Sequence, residues 1–192
     1  MTRGRTEAFS DGVIAILITI MVLDLKVPAG EDWAAIRPVL PVFLTYVLSF
    51  VFLGIYWVNH HHLLHTVQRI SGTVLWANLH LLFWLSLIPF VTGWMGEHHD
   101  AAAPAAVYGV VMLLAGVAYT LLQRASIAQH GPDSALAAAV GADIKGKVSL
   151  LLYAAAIPLA FVNQWIADAI YVSVALMWLV PDRRIEAAIA SE

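Results

Sequence analysis

The chain contains no cysteine. That excludes a disulfide framework, a thiolate metal site and a cysteine nucleophile, and it says little about compartment. Charge is also scarce: only 12% of the residues are Asp, Glu, Lys or Arg. A soluble domain carries roughly twice that share, near a quarter. With 61% apolar residues and a mean hydropathy of +0.80, too few polar side chains remain to cover a water-soluble core. The same numbers exclude intrinsic disorder. The formal net charge of −3 gives no sign of a nucleic-acid partner. No G-x-S-x-G, P-loop or G-x-G-x-x-G pattern occurs, so hydrolase and nucleotide chemistry lack support.

What is present is a series of long apolar runs. A helix needs about 20 mostly apolar residues to cross a bilayer. Six runs approach this, at about 9–27, 39–58, 73–94, 105–122, 148–162 and 165–180. The chain therefore reads as all-α, a six-transmembrane-helix integral membrane protein forming a single unit over 1–192. Pro28 and Gly30 are expected to end the first run, and Pro89 to kink the third. Pro158 reads as a break in the fifth, and Asn163–Gln164 as a tight turn before the sixth. The alanine-rich polar segment from Gln123 to Lys147 offers Asp133 or Ser134 as helix caps. The N-terminal run continues past Ala15 without a small-residue cleavage site, so it reads as mature structure rather than a signal peptide.

Charge supports the count. Six crossings put both termini on one side. Arg3, Arg5, Arg69, Arg124, Lys145, Lys147, Arg183 and Arg184 fall on that side, and only Lys26 and Arg37 on the other. The positive-inside rule then places both termini in the cytoplasm of a multi-pass cell-membrane protein. Trp33, Trp94, Trp165 and Trp178 sit near run ends, as interfacial aromatics do.

The first run is unusual because Asp11 lies just inside it. A carboxylate there is costly unless it is paired or faces water. Two readings stay open on local evidence: Ser10 or Asp11 caps the helix, or Asp11 belongs to a buried network tying this helix to its neighbours. Arg5 is six residues away, which is poor geometry for a pair along one helix. At 100° per residue, Ile16, Ile20, Leu23 and Val27 fall within about 60° of one another, with Thr19 flanking them and Asp11 on roughly the opposite side. Such a stripe is ordinarily a lipid-facing or helix-packing surface.

The run Arg5–x–x–x–Phe9–Ser10–Asp11–Gly12 resembles the signature that opens the first helix of the endosomal/lysosomal potassium channel family. Similar matches occur at Tyr56–Trp57, Asn59–His60–His61–His62, Asn78 and Leu87–Ile88–Pro89–Phe90. The resemblance covers about residues 5–95. It rests on hydropathy alone beyond about residue 100. It implies a homotetramer of six-helix units, in which the first helices line a central pore for potassium and other monovalent cations. It implies that Ile16 forms an apolar constriction, that Thr19 contributes to potassium preference and that Leu23 also faces the pore; Ile20 and Val27 are further candidates. It implies that Arg5, Phe9, Ser10, Asp11 and Gly12 serve packing between helices, supported by Trp57, His61 and Asn78. No cofactor or metal is implied, and no enzymatic activity. The chain has no T-V-G-Y-G filter, so any selectivity needs another source. Outer acids Asp24, Glu31 and Asp32 are either cation-concentrating groups or plain loop residues.

Two other classes compete. The run His60–His61–His62–Leu63–Leu64–His65 invites a metal, with His61 and His65 one helical turn apart, but membrane metal enzymes of this kind need several such boxes and only one cluster is present. A secondary transporter is the other alternative. Such folds show internal repeats and mid-membrane ion pairs, and neither is visible; Asp168 is the one acid placed to change that view.

Overall fold

The computed structural model describes residues 2–67, 70–131, 134–141 and 143–179. Among these the chain is helical, joined by turns. Arg69, Asp133, Val180, Arg183 and Arg184 lie outside the described residues.

The first helix, α1, spans Arg3–Leu23. It starts six residues before the apolar run and stops before Pro28 and Gly30, so neither residue ends it. Its N-cap is Thr2, which leaves Ser10 and Asp11 well inside the helix and overturns their reading as caps. Thr6, Ser10, Ile14, Leu17 and Met21 recur every three or four residues and form its buried face. A 3-10 helix, Trp33–Val39, leads into α2, Leu40–Thr66, which carries Pro41 in its first turn where a missing N–H costs nothing.

The third run is two helices. α3 spans Gly72–Ser86, capped by Ser71, and α4 spans Ile88–Glu97. Pro89 accounts for the division at Leu87, since its ring cannot accommodate a continuous helix. α5 runs from Ala102 to His130, 29 residues, well beyond the stretch of 105–122. The short α6, Ala135–Val140, is capped by the Ser134 hydroxyl. α7 spans Ile144–Ala160 and is capped by the Asp143 carboxylate. It continues through Pro158, which sits near its end rather than breaking it. Phe161–Val162 turn the chain into α8, Gln164–Leu179.

Several of the most extensive packings join helices that are not consecutive in the chain, α5 with α7, α3 with α5 and α2 with α4, and α5 sits at the centre, touching α3, α4, α7 and α8. α1 packs on α2, α3 and α4. Directions follow from the contacts between ends. Arg3 donates to the His65 carbonyl, so α1 and α2 are antiparallel. Lys26, just past α1, pairs with Glu97 at the end of α4, 2.6 Å away, so α1 runs with α3 and α4. The Glu97 carboxylate holds the Lys26 ammonium above its ordinary range by hydrogen bond and charge, although both groups are exposed and screened.

Length and apolarity suit four segments to membrane crossing: Arg3–Leu23, Trp33–Thr66, Gly72–Glu97 and Ala102–His130. α7 and α8 are shorter, at 17 and 16 residues. Close approach between helices is set by small residues. A Cβ on Gly96 would lie 2.8 Å from the Val42 backbone, which is sterically forbidden, whereas one on Gly54 would meet nothing. Gly96→Ala should therefore force α4 off α2 and cost about 1–3 kcal/mol, read as a lowered midpoint of thermal unfolding, while Gly54→Ala leaves that midpoint unchanged or slightly raised.

Candidate functional site

The residues of the opening motif divide between two faces of α1. Ser10 is fully buried, and its hydroxyl donates to the Thr6 carbonyl at 2.9 Å, one turn back. The Asn78 side-chain amide on α3 donates to the Ser10 oxygen at 3.0 Å. The Asn78 carbonyl oxygen then lies 2.7 Å from His60 Nε2 on α2. Because the Asn78 oxygen only accepts, His60 must carry its proton on Nε2. Ser10, Asn78 and His60 thus join three helices through a buried hydrogen-bond chain. His60 Nδ1 is buried and has no partner among the described residues.

Asp11 stands beside this chain. It accepts from the Trp57 indole N–H at 3.0 Å, nearer the surface. Glu7, one turn before Asp11, lies 2.9 Å from His61 Nδ1. Trp57 and His61 are themselves one turn apart on α2, with ring centroids 6.4 Å apart. The acid on the first helix is therefore partnered across to α2. Arg5 is helical and exposed, and among the described residues it makes no ion pair or hydrogen bond.

The other face of α1 is largely uncovered by the described residues. Phe9, Ile16, Ile20 and Leu23 are all exposed, Ile16 by 58% and Leu23 by 80%. Gly12 lies in the same row with open space around it. Thr19 is exposed as well, and its hydroxyl donates to the Ile16 carbonyl at 2.9 Å. The hydroxyl proton is thereby committed to the backbone, and the oxygen lone pairs are left outward. Val27 lies four residues beyond the helix end, so helical periodicity no longer sets its direction.

The histidine run does not assemble a ligand set. His60 is buried against Asn78, His61 faces Glu7, and among the described residues no three His, Asp or Glu side chains converge as a metal site would require. Asp168 lies on α8 with one buried oxygen that has no partner among the described residues, and no ion pair accompanies it.

The sequence reading missed Glu7 and singled out His61 where His60 is the buried member. Spacing carried the first signal, since Glu7 and Asp11 share a face at four residues' separation. Nothing in a run of adjacent histidines tells which one faces inward. A second hydroxyl cluster also escaped notice: Thr92 Oγ1 lies 2.7 Å from Ser49 Oγ, which lies 3.0 Å from Tyr108 Oη, joining α4, α2 and α5.

A bundle of apolar helices, internally bolted and with one face of its first helix exposed, has the build of a membrane protein. The model of the endosomal/lysosomal potassium channel TMEM175 family matches residues 5–89. A potassium channel of Chryseobacterium sp. (strain P1-3) is 52% identical over 97% of both chains. A potassium channel of Chamaesiphon minutus is 31% identical over 85% of this chain and 87% of its own. The endosomal/lysosomal proton channel TMEM175 of mouse is 34% identical over 46% of this chain, which corresponds to 20% of that protein. The crystal structure of a lysosomal potassium-selective channel TMEM175 homolog from Chamaesiphon minutus superposes with a TM-score of 0.78 at 28% identity, covering 93% of this chain and 96% of that one. The chain belongs to the TMEM175 family, a family of ion channels and not of enzymes.

Asn78→Ala should remove the centre of the three-helix hydrogen-bond chain and strand both Ser10 and His60. The expected cost is about 1–3 kcal/mol in unfolding free energy, against less than about 1 kcal/mol for Trp57→Phe at the exposed bond. Thermal unfolding of the two purified variants checks the ranking.

Proposed function

We propose that the chain is one protomer of a homotetrameric, potassium-preferring cation channel whose pore is lined by α1. In this reading the chain crosses the cell membrane six times, with both termini cytoplasmic, as the eight-to-two division of basic residues favours. α7 and α8 serve as the last two crossings, short enough to need thinned lipid or little tilt. The observation that carries the proposal is the unpartnered row of Ile16, Thr19 and Leu23. An apolar row interrupted by a hydroxyl suits a pathway that must both exclude water and offer a cation an oxygen.

Four Ile16 side chains meeting on a common axis would exclude water and close the pathway by dewetting. A small outward motion or rotation of α1 would let water back. Thr19, with its proton turned to the backbone, offers each passing cation an oxygen lone pair. Four such oxygens provide weak contacts rather than a carbonyl cage, so the preference for potassium over sodium is modest. The relatives named as potassium channels, similar along nearly the whole chain, support the choice of ion.

The test is recording from purified protein in lipid bilayers with asymmetric potassium and sodium. Ile16→Ala should raise conductance about twofold or more, and Thr19→Val should reduce potassium preference. The lack of native cysteine permits a sharper check. Ile16→Cys should be blocked by a thiol-specific cationic reagent, and Leu151→Cys, on the exposed side of α7, should not. A protein strictly monomeric in lipid, or an Ile16→Cys current indifferent to the reagent, defeats the proposal.

A further inference from the structure

Away from α1, a cavity of about 50 Å³ opens between α2, α5, α7 and α8, at the end of the bundle where α7 begins. The proposed pore makes no use of it. Its wall is aromatic, contributed by Phe52, Tyr56, Tyr119, Tyr153 and Trp178, and it holds a single carboxylate, Asp143.

The hydrogen-bond inventory of this wall is lopsided. Asn59 donates its side-chain amide to the Ile55 carbonyl at 2.8 Å, and Tyr119 donates its hydroxyl to the Asn59 carbonyl at 3.0 Å. Thr120 donates to the Gly116 carbonyl at 2.9 Å. Trp178 donates to the Ser149 hydroxyl at 2.8 Å, and that hydroxyl donates to the Lys145 carbonyl, also at 2.8 Å. Most polar side-chain protons of the wall are already committed; the Tyr56 and Tyr153 hydroxyls and the second Asn59 amide proton are the exceptions among the described residues. Acceptors outnumber these free donors: the Asn59 oxygen, the hydroxyl lone pairs and the second Asp143 oxygen. Aromatic faces and acceptors around one carboxylate favour a cationic donor over an anion.

Two positive influences oppose this; the first is compensated within the fold, and the second stands outside the cavity lining. The N-terminus of α7 points its N–H groups toward the cavity, and Asp143 accepts the one from Gly146 at 3.2 Å. The Lys145 ammonium stacks over the Trp178 ring at 5.9 Å and does not line the cavity. Asp143 is held at a positive φ of 43° to make this arrangement, and a Cβ on Gly146 would collide with its carboxylate. The backbone is thus shaped around the position of that one charge.

We propose that this cavity binds an alkylammonium group, with Asp143 as counter-ion and Tyr56, Tyr119 and Trp178 as the aromatic cage. Its size admits a compact head group rather than a drug-sized molecule. The same chemistry is supplied by a free small amine or by the ethanolammonium head group of a phospholipid.

The experiment uses the full-length protein in nanodiscs of phosphatidylglycerol alone, titrated with ethylammonium chloride against matched sodium chloride, and in parallel in nanodiscs containing phosphatidylethanolamine. Thermal unfolding is the readout. A saturable rise of about 2–4 °C on adding ethylammonium identifies the free amine as ligand; the same rise only with phosphatidylethanolamine identifies the lipid. In either case Asp143→Asn, which caps α7 equally well, should abolish the rise, and Gly146→Ala, which keeps the charge but displaces it, should weaken it. No rise in either arm, or one that Asp143→Asn leaves intact, as binding in the pore would, overturns the proposal.

Discussion

The structure turns on one buried hydrogen-bond chain. Ser10, Asn78 and His60 have almost no exposure to water, and each satisfies part of another. A polar group taken out of water costs free energy unless it is paired, and in lipid no solvent waits to replace a lost partner. That asymmetry fixes the rotation of α1 about its own axis. If α1 turned by a quarter, Ser10 would leave Asn78 and the buried row of Ile14, Leu17 and Met21 would leave its groove. The outward direction of Ile16 and Thr19 is a consequence of what is held inward on the opposite side.

The same logic explains why the motif mixes residue types that appear to have little in common. Ser10 is small enough to let α3 approach, and it supplies the acceptor for Asn78. Asp11 is one residue further round, where it meets the Trp57 indole nearer the surface, a less costly place for an acid than the buried face. Glu7 adds a second carboxylate against His61. Polar side chains lash α1 to α2 and α3 over its first half, while its second half is held by Ile14, Leu17 and Met21 together with the exposed Lys26–Glu97 pair at the far end.

Much of this was legible in the sequence. The periodic row from Ile16 to Leu23 and the opposed position of Asp11 follow from 100° per residue, and the helix keeps that geometry throughout. Pro89 marked its break because a ring without an N–H leaves a helix few options. Other features were not legible. The start of α1 at Arg3 was hidden because polar first turns carry no apolar period, and the end of α5 at His130 was hidden for the same reason. Pro158 misled, since a proline close to a helix end is accommodated there. Which of three adjacent histidines is buried depends on the rotation of α2, and that is set by tertiary contacts. The Asp143 cavity joins residues far apart in sequence, from Phe52 to Trp178.

The length of α5 has a consequence of its own. Twenty-nine residues at 1.5 Å each make a rod of about 43 Å, against a hydrocarbon slab about 30 Å thick. Even leaning at about 40°, the steepest tilt usual for such helices, the rod projects about 33 Å along the bilayer normal. Its far tip must therefore wade out past the acyl chains. Tyr119 is the eighteenth residue along, at about 26 Å from the start, so the cavity it helps to line lies toward that far tip.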